Sequence, residues 1–275
     1  MSAHVPAGHS LLVVIDPAAR ATDGESVRIA KDVLCAGAAS VKMAFPESAE
    51  EAERALTHRG RRHLVVLGDD AALLRTVNVL RRERTLHDSP VSMVPIGPRS
   101  TLAHALGVPA QVPAAARAVL DGVERELDLL VDESGGIVLG TLSLPYGMPV
   151  AHTAAHWWTP VEKTARSLVR TLTSPIPVNG SAPQHRQRLR VEADGVVLAD
   201  LDEPVHEVSV RPAPTGLAEV SVRRAPGSAQ VSTRARTVTV SGRDFRYRAD
   251  SAITGPVRTR TWTVEPSAWR LTVPR

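Results

Sequence analysis

The sequence predicts an α/β fold: a parallel sheet with helices in the N-terminal half, followed by a C-terminal β-sandwich. Three observations carry this prediction. Over about the first 130 residues, short apolar runs alternate with stretches of helical spacing. From Arg188 onward the hydrophobic period switches to two. The charge changes as well: residues 1–150 carry net −3 and residues 151–275 net +7, so the formal +4 averages two unlike halves. Strands separated by helices build βαβ units and a parallel sheet, whereas closely spaced strands with turn signals build a sandwich. The expected division is an α/β domain over 1–125 and a sandwich over 126–260, with the tail at 260–275 packing back on the first domain.

The elements follow in order. Leu11–Ile15 (LLVVI) reads as a buried strand closed by Asp16-Pro17, and Glu25–Ala36 as a helix with Gly37 as its C-cap. Val41–Phe45 makes a second strand. Ser48 opens a helix in the capping-box pattern Ser48-x-x-Glu51. His63–Leu67 (HLVVL) is a third strand, followed by Gly68-Asp69-Asp70 and a helix from Ala71 to about Arg84. Val91–Val94 is a fourth strand, ended by Pro95-Ile96-Gly97-Pro98. Ser100 or Thr101 caps a short helix that ends at Gly107, and Val112–Leu120 is a helix ahead of a Glu124–Leu130 strand.

In the second half, apolar Val161, Ala165, Leu168 and Leu172 give His156–Leu172 a helical face. Short strands are expected at Leu189–Val191, Val196–Leu198, Val205–Val210, Ala218–Val222, Thr237–Val240 and Thr261–Val264. Residues 223–235 (RRAPGSAQVSTRA) read as a loop.

Composition removes several function classes. Aromatic residues make up 3% of the chain, too few for base-stacking platforms. No helix-turn-helix, RRM or zinc signature accompanies the basic half, so no nucleic-acid partner is expected. Cys35 is alone, which excludes a disulfide framework and a Cys-based zinc site. His152 and His156 stand four apart but lack a third ligand, and the adjacent Trp157-Trp158 suggests packing, so no metal site is expected. No secretory h-region or membrane-length apolar run is present; the expected location is cytoplasmic, with any membrane contact peripheral and on the inner face. Of 33 cationic residues 30 are Arg, an excess that mostly reflects coding bias. The alternating Arg186, Arg188 and Arg190, Arg246 and Arg248, and Arg258 and Arg260 would each point one way on a strand. They form either a solvated face or a patch for phosphate or an anionic membrane.

In a parallel sheet the ligand crevice lies beyond the carboxyl ends of the strands, which directs attention to Asp16-Pro17, Gly68–Asp70 and Gly97–Ser100. These loops read Val14-Ile15-Asp16-Pro17, then Leu67-Gly68-Asp69-Asp70-Ala71-Ala72, then Pro95-Ile96-Gly97-Pro98-Arg99-Ser100-Thr101 running on to Leu106-Gly107-Val108-Pro109. In order and spacing they resemble the diacylglycerol kinase catalytic family, lipid kinases related in fold to NAD kinases. That family shows Asn-Pro, Gly-Gly-Asp-Gly-Thr, and Pro-Leu-Gly-Thr-Gly-Asn-Asp with Leu-Gly-Ile-Pro at matching places. The C-terminal Pro266-Ser267-Ala268-Trp269-Arg270-Leu271-Thr272-Val273-Pro274 resembles the family's closing strand.

The resemblance implies nucleotide binding by Asp16, Gly68, Asp69, Asp70, Gly97, Ser100 and Thr101, with ATP and Mg2+ as cofactors. It implies a lipid acceptor, and pairing into homodimers. Asp250, in Asp250-Ser251-Ala252, stands at the position of the family's catalytic base. The departures weaken phosphate binding. Asp69 puts a carboxylate where the family has glycine, and Ala71 puts a Cβ at a second glycine position. Ala72 lacks the threonine hydroxyl, Pro98 deletes an N–H, and the Glu partner of the base is absent. Each residue also has a structural reading: Asp70 as cap of the helix that follows it, Ser100 and Thr101 as caps, Asp250 as a solvated ion-pair partner of Arg248 or Arg258. The expectation is a diverged lipid-kinase relative, weak or inactive in catalysis, that keeps nucleotide, phosphate or lipid binding in an interdomain cleft. An active ATP-dependent lipid kinase with a rewired phosphate loop, and a non-catalytic regulatory protein, are the alternatives.

Overall fold

A computed structural model describes residues 10–97, 99–145 and 187–275. The His152/His156 pair, Trp157-Trp158, the expected helix over 156–172, Arg186 and Pro98 lie outside the described residues. The N-terminal half runs β1 (Ser10–Ile15), α1 (Pro17–Thr22), α2 (Gly24–Gly37), β2 (Ser40–Ala44), α3 (Ala49–Thr57), β3 (His63–Gly68), α4 (Asp70–Arg82), β4 (Val91–Pro95), α5 (Thr101–Ala105) and α6 (Val112–Asp121). Strands β2, β1, β3 and β4 lie side by side and parallel. Central β1, β3 and β4 are buried almost throughout because helices cover both faces, and edge strand β2 is not.

From β5 (Val123–Asp132) the chain becomes antiparallel: β6 (Ile137–Val138), β7 (Leu142–Leu144), β8 (Gln187–Ala193), β9 (Val196–Ala199), β10 (Pro204–Val205), β11 (Glu207–Ala213), β12 (Leu217–Arg223), β13 (Gln230–Ala235), β14 (Thr237–Ala249) and β15 (Ala252–Val273). The structure thus has the expected N-terminal parallel α/β region and C-terminal strand-rich region. Strand β15 joins them. Its first half pairs antiparallel with β14, and near its end Leu271 meets Val91 of β4 in parallel.

Two apolar cores result. The first holds the parallel strands, the inner faces of α2 to α6, and Trp269, Leu271 and Val273 of β15. The second holds the inward residues of the antiparallel strands around Phe245, Tyr247 and Trp262, the last two rings meeting edge-on with centroids 5.1 Å apart. Where β15 passes between them it bulges at Glu265–Trp269. The buried Asp128 carboxylate holds that bulge, accepting from Ser267 N at 2.8 Å and, on its other oxygen, from Gly216 N at 2.8 Å.

Two local expectations are corrected. Residues 230–235 form strand β13 rather than loop, because Ser232 and Thr233 pair with Ser221 and Val220 of β12 and only the turn before them is irregular. Gly37 ends α2 from inside the helix, and extended Ala38 is the C-cap. The glycine has another purpose: a Cβ there would collide with the Leu120 side chain on α6.

Arg188, Arg190, Arg246, Arg248 and Arg258 point away from the core, whereas Arg260 lies largely buried on the side of Trp262. Arg188 donates to the Leu201 and Asp202 carbonyls, and Arg190 pairs with Glu192 and Asp200. Arg258 pairs with Asp244, and Arg260 lies near Asp132 and Glu133. Much of this charge is therefore met by acids of the same chain.

Candidate functional site

The three strand-to-helix loops come together at the carboxyl edge of β1, β3 and β4. Asp16 ends β1 in an extended conformation and caps α1, its Oδ1 accepting from Ala18 N at 2.9 Å. Its other oxygen takes an ion pair from Arg75 of α4 at 2.7 Å. Asp16 is thus buried and bridges the first loop to the helix of the second. Gly68 permits that approach, since a Cβ there would meet the Cβ of Ala72 at 2.7 Å and of Asp16 at 3.0 Å.

The two aspartates after Gly68 divide their work. Asp69 is the N-cap of α4, and its Oδ1 accepts from Ala71 N at 3.0 Å and Ala72 N at 3.2 Å. Asp70 does not cap the helix it begins, contrary to the structural reading from sequence. Its side chain crosses to the third loop and caps α5. Oδ2 accepts from Leu102 N at 3.0 Å and from the Thr101 hydroxyl at 3.3 Å, while Oδ1 accepts from Ala103 N at 3.1 Å. Only 2% of Asp70 is exposed. Its backbone N–H also donates to the Arg99 carbonyl at 2.8 Å, locking the second and third loops together.

That arrangement displaces the expected caps. Ser100 occupies the N-cap position of α5 but makes no capping bond, its hydroxyl donating instead to the Gly97 carbonyl at 3.2 Å. Thr101 is a donor to Asp70 rather than a cap. Gly97 adopts φ +123°, a conformation that disfavours any side chain, and sits against Asp69. Ala71 is helical, so its Cβ introduces no strain.

Asp250 arrives from the other core, on the turn between β14 and β15, with φ +50°. It is not an ion-pair partner of Arg248 or Arg258. Its carboxylate is turned inward onto the segment between β6 and β7. Oδ1 accepts from Gly140 N and Thr141 N, and Oδ2 from Leu139 N, each at 2.8 Å. Burial pushes its carboxyl above the usual range; the three N–H groups pull the other way, and the charge of Asp70 adds to the rise.

Gly140, not evident from sequence, is what brings these pieces into contact. A Cβ there would lie 2.6 Å from the Leu102 side chain and 3.0 Å from Asp250 Oδ1. Leu102 is itself held by Asp70, so one chain of contacts runs Asp70, α5, Gly140, Asp250. The structure therefore gathers all eight sequence-selected residues around one edge.

A triphosphate needs backbone donors and positive charge at such an edge. The first-turn N–H groups of α4 and α5 are already taken by Asp69 and Asp70. Of the arginines here, Arg75 is committed to Asp16, while Arg99 of the third loop is exposed. Four carboxylates lie at this edge, and a nucleotide would bring more negative charge. The residues present do not fit the triphosphate of ATP in this arrangement. Among the described residues, no group of three or more His, Cys, Asp or Glu side chains is placed to hold a metal ion.

Residues 10–131 match the model of the diacylglycerol kinase catalytic domain. No curated protein matches the sequence. Among solved structures, the chain is similar to a "putative diacylglycerol kinase" from Bacillus anthracis str. Sterne, with TM-score 0.70 at 11% identity, covering 99% of this chain and 98% of that one. A further structure of a diacylglycerol kinase from the same organism gives TM-score 0.68 at 11% identity, covering 97% of each chain. At that identity the likeness concerns the fold, and it spans both cores. The likeness to the diacylglycerol kinase catalytic domain therefore covers residues 10–131, and the described chain carries the two-part fold of those structures.

Proposed function

We propose that this chain is a diverged member of the diacylglycerol kinase family that does not turn over ATP, its phosphate loops being held shut by its own carboxylates. One observation carries the reading: Asp69, which stands where the family has glycine, spends its carboxylate on the N–H groups of Ala71 and Ala72 at the start of α4. Phosphoryl transfer depends on positioning and on neutralising the phosphate charge. Here the first-turn donors of α4 and α5 are consumed, and four carboxylates lie at the edge. The role supported best is a non-catalytic one within a lipid-kinase family.

A second reading, an active lipid kinase, has one observation in its favour. Asp250 Oδ2 accepts a single bond and keeps a lone pair, and its carboxyl is shifted upward, as suits a general base.

Thermal unfolding in the presence of Mg-ATP separates the two. A ligand at 100 times its dissociation constant adds roughly 2.7 kcal/mol of stability. The expected result is no shift at millimolar Mg-ATP and no phosphate transferred to diacylglycerol. A clear shift, with lipid phosphorylation that Asp250→Asn abolishes, would establish the active reading instead. A shift without transfer would mean that the loops open to admit nucleotide, and the closed-loop proposal would fall.

A further inference from the structure

The outward face of β11, β12 and β13 carries a regular grid of polar side chains. Cross-strand register sets Ser209, Ser221 and Ser232 in one row. Two residues along each strand on one side lie Arg211, Glu219 and Arg234; on the other side lie Glu207, Arg223 and Gln230. Side chains alternate faces along a strand, and Val208, Val210, Val220 and Val222 point into the second core, so this grid is held at its base by packed apolar residues. Short hydroxyls between two rails of long side chains leave an open cavity of about 560 Å3, lined by these nine residues with Val220 and Thr233.

Partnering within the grid is uneven. Arg234 lies 3.5 Å from Glu219 and Arg223 lies 3.2 Å from Glu207, so both carboxylates are matched. Arg223 also donates to Gln230, which donates to Ser232. Among the described residues, Arg211 has no carboxylate within ion-pair distance, and neither Ser209 nor Ser221 makes a side-chain hydrogen bond. The surplus is thus one guanidinium beside two open hydroxyls on the floor. Rows on one face of a strand repeat every ~6.6 Å and strands lie ~4.8 Å apart, so a ligand with an anionic group at Arg211 reaches both hydroxyls with an arm of several atoms.

From this geometry we infer that the grid binds a soluble phosphorylated polyol, with the phosphate on Arg211 and hydroxyls on Ser209 and Ser221. A guanidinium takes two phosphate oxygens in a fork, and serines exchange hydrogen bonds with alcohols as both donor and acceptor. Glu207 and Glu219, tied to arginines, offer acceptors to further hydroxyls while repelling a bare polyanion. No aromatic or exposed apolar side chain lines the cavity, which favours a soluble ligand over a lipid surface. This inference is independent of whether the parallel-sheet loops bind nucleotide.

The test is an amide chemical-shift titration of the full chain with glucose 6-phosphate, glucose and inorganic phosphate, run beside Arg211→Gln and Arg211→Lys. Shifts should centre on Ser209, Ser221 and Ser232 with glucose 6-phosphate. Glucose and inorganic phosphate should each bind at least about tenfold more weakly, the equivalent of ~1.4 kcal/mol. Arg211→Gln should lose about tenfold and Arg211→Lys should recover only part of it, since Lys keeps the charge without the fork. Because Arg211 is solvent-facing, an unchanged spectrum elsewhere certifies the fold of each variant. Absence of shifts in these amides up to about 10 mM glucose 6-phosphate, or equal binding by Arg211→Gln, overturns the inference. Tighter binding to phosphatidylglycerol vesicles than to glucose 6-phosphate overturns it too.

Discussion

The carboxyl edge of the parallel sheet and the outer face of β11 to β13 differ in who satisfies their polar groups. At the carboxyl edge of the parallel sheet, Asp16, Asp69, Asp70 and Asp250 all turn onto the chain's own N–H groups or its own arginine. On the outer face of β11 to β13, Arg211, Ser209 and Ser221 are left over. The first edge has the position of a ligand site and the bonding of a structural joint. The second has an unremarkable position and the bonding of a site. Family likeness points to the first, and the count of spent and unspent donors points to the second.

The largest expected effect tests the joint. Asp70→Ala strips the acceptor from Leu102 N, Ala103 N and the Thr101 hydroxyl, leaving buried donors unpaired. Each such loss costs about 1–3 kcal/mol, so urea unfolding should show a loss of roughly 3 kcal/mol or more. Were Asp70 instead a ligand group kept at the expense of stability, its removal would leave the unfolding midpoint unchanged or raise it. Asp70→Asn should fall between, since one amide oxygen can still serve part of the helix end.

Gly140→Ala probes the same joint from the other core. The added Cβ meets the Leu102 side chain at 2.6 Å and the Asp250 carboxylate at 3.0 Å, and the neighbours must give way. Overpacking of this kind costs typically ~1–3 kcal/mol. The loss should shrink in the Leu102→Ala background, because the side chain in the way is gone. A loss of the same size in both backgrounds would show that Leu102 does not couple the two cores.

Much of this was legible in the residue pattern, and the rest shows where pattern ends. Strands β1, β3 and β4 announce themselves as unbroken Val and Leu runs because both faces are buried. Ser48 as a cap is local, three residues from Glu51, and so readable. Asp70 is different: its partners are more than thirty residues away on α5, and spacing alone assigns it to the nearer helix. Gly140 and Asp128 carry no local signal, because each is defined by an approach from a remote strand or loop. Strand β13 hides because its outward side chains at the sheet edge are polar, which weakens alternation. Local rules identify elements; the contacts between loops that decide donor availability are long-range.

The smallest expected effect, a pH dependence, turns on buried Asp132 and partly buried Asp250, whose carboxyls are shifted in opposite directions. Burial would raise the Asp132 carboxyl, but hydrogen bonds from Ser134 and Gly136 and the Arg260 charge hold it below its ordinary 3.8. Its stabilisation is present above that ordinary value and lost as pH falls through the lowered one. Asp250 is raised above 3.8 by burial and by Asp70, so the folded chain holds its proton more tightly than the unfolded one. Its stabilisation is present below the ordinary value and lost as pH rises through the raised one. Stability should therefore climb with pH on account of Asp132 in the acid range, while Asp250 opposes the climb just above it. Asp132→Asn should flatten the acid limb measured by urea unfolding, and Asp250→Asn should steepen the rise above it. If Asp250→Asn leaves the slope unchanged, the carboxyl titrates alike in the folded and unfolded chain. The contact chain from Asp70 through Gly140 to Asp250 would then be a steric joint with no electrostatic coupling between the two halves.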